Sequence, residues 1–368
     1  MSRTRFTPIK SRNGIRLGAV PSHNHPETPA PHDDDAVTPN EVMRFVLRIV
    51  FVFAAIVGVP TVIAHAVHRG PMPDVTAWLN TTDAKTGVRV YDTGSQSTST
   101  MPLNTYILDV LAAEFPPNTP MTSLEAAAVA TRTYAVHAMQ GSSGSSPLAK
   151  SHNADVTNDS QLDLPLANEQ DIEAEYPNDS FQFLSRLQAA VETTDGLVLT
   201  YQKQPILAFM FELSPGTTLS SQDVFHHNIP YLQAIKCPDD AVDPDGTSTN
   251  TFEPREVAQA FSLPTVQWSE LKMSRAPNGF VSTVTYGKQV ISGADFANLL
   301  HLPSADFTWQ VRPQGLVITS HGRGTNIGMS LHEAQALAAK GMSWKDILAK
   351  FYPGTTVQLD DGMVGTGE

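Results

Sequence analysis

Glu114 stands where a carboxylic acid could exchange protons with a substrate. It lies in the last turn of a predicted helix, PLNTYILDVLAAEF, whose apolar side chains recur at helical spacing and which ends at Pro116 and Pro117. A carboxyl group that donates a proton at neutral pH needs a raised pKa, and a partly apolar environment supplies one. Phe115 and the two prolines could form that environment. From the residues alone, however, a solvated glutamate at a helix end is the more common case.

Three other side chains near this helix could take part in chemistry. Glu125 is the nearest rival acid, but its spacing from Thr122 matches a capping box, so we predict that it caps the next helix. Arg132 and Tyr134 lie near the middle of that alanine-rich helix and could contact a sugar. Alternatively, Arg132 pairs with a carboxylate at the edge of the core and Tyr134 belongs to the core. Both alternatives stay open.

Two further segments could border the same site. Tyr201 and Lys203 flank a predicted hairpin bend, where a plain turn is at least as good an explanation. The segment GRGTNIGMS carries glycines such as Gly328 that let the backbone approach another segment or a sugar chain closely. Met329 and Ser330 end this segment, and Ser330 is also placed to cap the following helix.

No metal or cofactor site is predicted. The chain has one cysteine, so a cysteine-based zinc site within the chain is excluded. The remaining candidates are interpreted as solvated loops or as an inert thiol: Asp223 with His226 and His227, Asp243 with Asp245, and Cys237. The glycines of GRGTNIGMS lack the surrounding βαβ unit that nucleotide binding requires.

The charge distribution bears on partners and location. A net charge of −13 argues against nucleic acid as the main partner, because that partner needs a basic face. Residues 49–67 contain no Asp, Glu, Lys or Arg, and the basic residues that precede them predict a cytoplasmic N-terminus. A cleaved signal peptide is the alternative. The predicted organisation is a disordered tail at 1–41, a transmembrane helix at 42–68, a linker at 69–85 and an extracytoplasmic domain at 86–368.

The pattern of elements in this domain favours the α+β class. Helical segments alternate with hairpins, and few βαβ units are apparent. Besides the segments above, we predict a turn at QSTST, an irregular excursion over 141–180, a surface loop over 239–251, and helix caps at Ser330 and Ser343.

A series of segments supports a more specific expectation. MPLNTYILDVLAAEFP, LEAAAVATRTYAV, AVETTDGLVLTYQKQPILAFMF, IPYLQAI, GADFANLLHLPSADF and GRGTNIGMSLHEAQALAAKGMSWKDILAKFYPGT follow one another between residues 86 and 358. In content and order they resemble the stage II sporulation protein D (SpoIID) family, membrane-anchored peptidoglycan lytic transglycosylases of spore-forming bacteria.

The resemblance implies a reaction. A lytic transglycosylase cleaves the MurNAc–GlcNAc bond without water: an acid protonates the leaving oxygen and the sugar's own 6-hydroxyl attacks C1. Because the nucleophile is intramolecular, the second carboxylate of hydrolytic glycosidases is dispensable. With the resemblance, Glu114 is predicted to be that acid. The resemblance also implies peptide-stripped glycan strands as substrate, septal wall remodelling during engulfment, and an amidase and a membrane scaffold protein as partners.

The chain departs from the family's motifs at several positions. Glu-Met-Pro reads Glu114-Phe115-Pro116, Gly-His-Gly reads Gly324-Thr325-Asn326, and a helix glutamine is Ala127. These losses support an alternative, a non-catalytic glycan-binding or scaffold protein. A third hypothesis, a metal-dependent wall hydrolase, requires His152, His226 or His227 to converge with carboxylates.

Overall fold

The computed structural model describes residues 86–141, 145–360 and Met363, all within one compact unit. In this part of the chain no helix is both long and apolar enough to cross a bilayer. The predicted tail, transmembrane helix and linker lie outside the described residues.

The helices agree with the main helical segments expected from the sequence. In the described part they are α1 Leu103–Glu114, α2 Met121–Met139, α3 Pro147–Ser151, α4 Glu169–Glu175, α5 Ser180–Thr193, α6 Ser221–Phe225, α7 Pro254–Gln259, α8 Gly293–Leu299, α9 Leu331–Ala339 and α10 Trp344–Phe351.

The strands are short and mostly antiparallel. They are β1 Gly87–Asp92, β2 Ser97–Pro102, β3 Val156–Thr157, β4 Leu197–Tyr201, β5 Gln204–Pro205, β6 Met210–Phe211, β7 Thr247–Phe252, β8 Leu271–Arg275, β9 Val281–Tyr286, β10 Gln289–Ser292, β11 Phe307–Arg312, β12 Gly315–His321, β13 Met329–Ser330 and β14 Thr356–Leu359. They form small sheets in the orders β2-β1-β3, β14-β4-β5, β13-β6, β10-β9-β8 and β11-β12-β7. Mixed helices and small sheets confirm the α+β class.

Helix α2 is the centre of the larger hydrophobic core. It packs against α1, α5, α9, α10 and strand β4. Its alanines, among them Ala126, Ala127 and Ala130, are fully buried, because a side chain of one carbon lets several neighbours approach the helix axis. The alanine-rich composition therefore reflects close packing on nearly all sides rather than a single apolar face.

A second hydrophobic core lies between residues 252 and 318. Phe296 is fully buried there, with its ring stacked on Phe307 at 5.6 Å between centroids and in contact with Phe261 and Trp309. The sheets β10-β9-β8 and β11-β12-β7 enclose it together with α7 and α8. The site described below is built from the larger core and from the loops that join it to this second core.

Some local predictions were wrong. Helix α2 starts directly after Pro120, without a side-chain cap, so Thr122 and Glu125 do not form a capping box. Pro120 can begin the helix without a side-chain cap, because its ring fixes φ near the helical value and helices tolerate proline at their beginning.

The residues of QSTST from Ser97 onward continue into strand β2, which pairs with β1. The stretches 141–180 and 239–251 contain short helices and strands. The caps at Ser330 and Ser343 are confirmed.

Candidate functional site

Glu114 is the last residue of α1, at the edge of the larger core. Phe115 follows in an extended conformation with its ring buried, and its N–H bonds the carbonyl of Leu111 at 3.1 Å. The chain then turns through Pro116 and Pro117 to Thr119. The Glu114 side chain is consequently half-buried rather than fully solvated.

The surroundings of Glu114 favour its protonated form. Burial, and after it the negative charge of Glu212, together raise the pKa of Glu114 from 4.5 to about 7. The position of Glu114 at the C-terminal end of a helix also favours the protonated form, because the helix dipole is negative there. A carboxyl group with this pKa can both donate and accept a proton near neutral pH.

Glu212 and Arg323 form an ion pair near Glu114. The Nε of Arg323 lies 2.6 Å from Oε1 of Glu212, whose side chain is 57% exposed. The Nη1 of Arg323 donates to the carbonyl of Asp245 at 2.7 Å. Sequence reasoning missed both residues, because no local pattern connects two loops so far apart in the chain.

The segment 322–330 contacts residues 209–213 near both of its ends. Leu213 and Arg323 exchange backbone hydrogen bonds in both directions, at 3.1 and 2.6 Å. At the other end, β13 pairs in parallel with β6, so that Met329 lies opposite Met210. The glycine spacing predicted a close backbone approach, and the approach made here is to another protein segment.

Asp240 ties this pair of segments to the preceding loop. Its fully buried carboxylate accepts hydrogen bonds at Oδ2 from the N–H of Ser214 (3.0 Å), the hydroxyl of Ser214 (2.7 Å) and the hydroxyl of Ser330 (2.7 Å). Its Oδ1 lies 2.9 Å from Nδ1 of His332, whose Nε2 lies 2.6 Å from Asp243. This network fixes the loop that holds Arg323.

Among the described residues, the group best placed to hold a metal is Cys237, Asp240 and Glu333, whose potential ligand atoms lie within 4.8 Å of one another. The protein itself already occupies these atoms. Glu333 pairs with Lys350 at 2.6 Å and accepts the N–H of Asp239 at 2.9 Å. Burial raises the pKa of the Cys237 thiol to about 12, so it stays protonated. These features fit a polar network rather than a metal site.

The predicted sugar contacts of Arg132 and Tyr134 do not fit the structure. Arg132 is fully buried, donates to Asn104 at 2.7 Å and lies 3.4 Å from Asp195. Tyr134 is 4% exposed, and its hydroxyl donates to Asp163 at 2.6 Å. Both side chains therefore hold the core together, which corresponds to the alternative that the sequence left open.

The same correction applies to the end of the glycine-rich segment. Met329 and Ser330 are fully buried, and Ser330 caps α9 by accepting the N–H of Glu333 at 3.3 Å. Gly328 has φ +90°, and a Cβ there would lie 2.0 Å from the carbonyl oxygen of Phe209. These three residues are buried and have no surface to offer a substrate.

Tyr201 and Lys203 lie at a tight turn on the surface. Gln202 and Lys203 both have positive φ, and Lys203 is exposed. The Tyr201 ring lies 5.6 Å from that of Tyr231. A role for Tyr201 and Lys203 in binding remains a prediction.

The histidines of the metal hypothesis are separately engaged or exposed. His152 stacks on Tyr91 at 3.8 Å between ring centroids. His226 and His227 are exposed, and Asp223 serves as the capping partner of Ser220.

Comparison with known proteins identifies the family. The family model of SpoIID, stage II sporulation protein, matches residues 91–201, which contain α1 with Glu114, the whole of α2 and strand β4.

The chain is 30% identical to the stage II sporulation protein D of Bacillus amyloliquefaciens, over 77% of this chain and 81% of that protein. It is 29% identical to that of Bacillus subtilis (strain 168), over 75% and 80% of the two chains. The chain therefore belongs to the stage II sporulation protein D family of sporulation proteins.

Proposed function

We infer that the chain is a lytic transglycosylase that cleaves MurNAc–GlcNAc bonds of peptide-stripped peptidoglycan strands. The observation that carries this proposal is the half-buried Glu114, whose pKa of about 7 suits a group that must act as acid and then as base.

The proposed reaction uses Glu114 twice. Its protonated carboxyl donates a proton to the glycosidic oxygen as the bond to C1 breaks and the GlcNAc hydroxyl leaves. The 6-hydroxyl of MurNAc then bonds to C1 and returns a proton to the Glu114 carboxylate. The products are a GlcNAc end and a 1,6-anhydro-MurNAc end, without consumption of water.

The decisive experiment incubates the full-length protein in detergent with peptide-free glycan strands and detects chain ends by mass spectrometry. We expect 1,6-anhydro-MurNAc ends with the wild type and at least about 100-fold fewer with Glu114→Gln, as for loss of an acid–base residue. Glu125→Gln is the matched control and should retain activity. Equal product from Glu114→Gln would exclude Glu114 as the acid, whereas binding without cleavage by the wild type would favour the glycan-binding scaffold.

The resemblance also supports a cellular setting. We propose that residues 42–68 anchor the chain in the cell membrane with the N-terminus in the cytoplasm, and that it remodels the septal wall with an amidase and a membrane scaffold protein. Protease added to intact protoplasts should remove the part of the chain after residue 69 and spare the tail. Protection of the whole chain would contradict this orientation.

A further inference from the structure

The turn between α1 and α2 directly follows Glu114 and has few hydrogen-bond donors of its own. It runs over residues 115–120 and contains Pro116, Pro117 and Pro120, which lack a backbone N–H. A turn of this composition cannot be tied to neighbouring elements mainly through its own N–H groups. Side chains that donate to its carbonyl oxygens therefore decide how firmly it is held.

Thr119 is the residue at which other elements hold this turn. It is 1% exposed, and its N–H and its hydroxyl both donate to the carbonyl of Pro116, at 3.2 and 2.9 Å. Its own carbonyl accepts a hydrogen bond from Nη2 of Arg186, which lies on α5. Its hydroxyl also lies 3.4 Å from Oε1 of Gln335 on α9. Helix α5 packs against both α1 and α2, so the bond from Arg186 joins the turn to a helix that its two flanking helices share.

Arg186 is committed to this contact. The residue is half-buried, its Nε is buried without a hydrogen-bond partner, and no carboxylate of the described residues pairs with it. Removing a cation from water costs free energy that an ion pair usually offsets. Here the compensating contact is a charge-assisted hydrogen bond to the Thr119 carbonyl. The guanidinium therefore serves the turn rather than the neutralisation of an acid.

The turn transmits the position of Thr119 to Glu114. Proline fixes its own φ and restricts the residue before it to extended conformations. Phe115 precedes Pro116 and is extended, with φ -129° and ψ 144°, and its ring is 3% exposed. The stretch between Glu114 and Thr119 consequently has few dihedral angles that can absorb a displacement. A turn that moves away from α5 would carry the end of α1 with it.

We propose that Arg186 is a positioning residue for Glu114: by holding the Thr119 carbonyl it keeps the turn against α5 and the Glu114 side chain half-buried at the end of α1. The inference rests on the proposed function of Glu114 and adds the residue that fixes its place. Arg186 acts through the turn and takes no part in bond breaking. Gln335 is a weaker second contact, because 3.4 Å is long for a hydrogen bond from a hydroxyl to an amide oxygen.

The experiment compares three substitutions in the full-length protein in detergent. Arg186→Met removes every donor and keeps an unbranched side chain. Arg186→Lys keeps a charged donor on a long, flexible stem, which can still reach the Thr119 carbonyl. Arg255→Met is the matched control, because Arg255 is exposed on α7 in the second core region. Each variant is assayed for kcat and KM on peptide-free glycan strands and for stability in urea.

We expect Arg186→Met to lower kcat by about tenfold to 100-fold with KM changed by less than about threefold, because a misplaced acid impairs the transition state more than binding. Arg186→Lys should recover most of the loss, and Arg255→Met should match the wild type. A merely structural role for Arg186 would lower the urea midpoint and leave the kcat of the folded protein unchanged. If Arg186→Met does not fold, Arg186→Gln, whose side chain is too short to reach Thr119, takes its place.

A second readout needs no turnover. Glutamate side-chain carboxyls are labelled with ¹³C, the Glu114 signal is assigned by its loss in Glu114→Gln, and its titration midpoint is followed by NMR. In Arg186→Met the midpoint should fall toward 4.5 by about one pH unit as the side chain gains solvent, and in Arg186→Lys it should return. Loss of a positive charge alone would raise the midpoint, so a fall reports solvent exposure rather than charge. The signal of Glu270, an exposed glutamate in the second core region, should not move.

A wild-type kcat with an unchanged midpoint in Arg186→Met, or a midpoint that rises, would overturn the inference. So would a loss that Arg186→Lys does not restore. The two proposals can fail separately. A midpoint that falls in Arg186→Met and returns in Arg186→Lys, in a protein that cleaves nothing, would keep the positioning role and refute the transglycosylase activity. Cleavage that depends on Glu114 but not on Arg186 would refute only the positioning role.

Discussion

At the scale of single residues, Glu114 and Asp240 have different surroundings. Burial and the charge of Glu212 raise the pKa of Glu114. Asp240 is fully buried, and its oxygens are bonded by Ser214, Ser330 and His332. The two acids are therefore suited to different tasks, proton exchange and structural anchoring.

The raised pKa of Glu114 predicts a pH-dependent cost to stability. Between pH 4.5 and about 7 the folded chain retains a proton that the unfolded chain has lost, so stability falls as pH rises through this window and is level above it. The unfolding free energy of Glu114→Gln relative to wild type should therefore be higher at pH 8 than at pH 4. We expect this difference to be on the order of 2 kcal/mol. Urea unfolding at both pH values measures this difference. Glu270→Gln should show none, and a pH-independent effect of Glu114→Gln would contradict the raised pKa.

Replacing the buried Asp240 carboxylate should destabilise the fold. In Asp240→Asn, the amide N–H₂ would replace Oδ1 or Oδ2 and could not accept the hydrogen bonds made there now. We expect the free energy of unfolding to fall by about 3 kcal/mol. The exposed Asp179 makes no capping bond, so Asp179→Asn is the control and should change stability by less than about 0.5 kcal/mol. Urea midpoints compare the two, and equal midpoints would argue against the network.

At the scale of elements, the segment 322–330 depends on backbone contact with residues 209–213. Neither segment is long enough to form an extended sheet, and β6 and β13 pair over two residues each. Glycine at 328 allows the approach, because any Cβ there would collide with the carbonyl of Phe209. The position of Arg323, and with it that of Glu212, follows from this contact.

The close approach at Gly328 can be separated from its backbone conformation. Gly341 has a similar φ of +86°, but a Cβ there would meet nothing within 4 Å, whereas at Gly328 it would meet the Phe209 oxygen. Gly341→Ala should cost about 1 kcal/mol from backbone strain alone, and Gly328→Ala about 3 kcal/mol or more. Equal losses of unfolding free energy in the two variants, measured with urea, would show that the close approach of Gly328 to Phe209 does not matter for stability.

At the scale of the whole molecule, the described residues contain two hydrophobic cores with different roles. The larger core holds α1, α2 and the strand that leads to Glu212, and the second core lies between residues 252 and 318. The chain leaves the larger core after the Asp240 loop and returns with Arg323. Strand β12, which borders the second core, ends at His321, two residues before Arg323 of the ion pair.

The two cores should respond separately to mutation. Phe296→Ala opens a cavity in the second core and should cost about 3–5 kcal/mol. We expect faster amide hydrogen exchange in β8 to β12, with α2 exchanging as in the wild type until global unfolding. Leu124→Ala in α2 is the matched change in the larger core and should act on α1, α2 and α5. If Phe296→Ala accelerates α2 to the same extent, the cores unfold as one unit.

The sequence by itself determined the longer helices, because their signals are local, but it missed the short helices α3 and α4 within residues 141–180. The apolar spacing of α1 and the prolines after it give both its length and the place of Glu114 in its last turn. Ser330 and Ser343 cap the helices that they precede. The order of the motifs also gave the family, since several matches in one order specify it where a single motif does not.

Only the tertiary structure decided which polar residues meet. From the sequence, Arg132 and Tyr134 were candidates for sugar contact, but the packing of α2 on nearly all sides buries them. Glu212 and Arg323 had no local signal, and they meet because Gly328 and its neighbours let two distant segments share backbone bonds. A pKa depends on burial and on distances in space, and the order of residues along the chain reveals neither. The environment that raises the pKa of Glu114 to about 7 therefore forms only on folding.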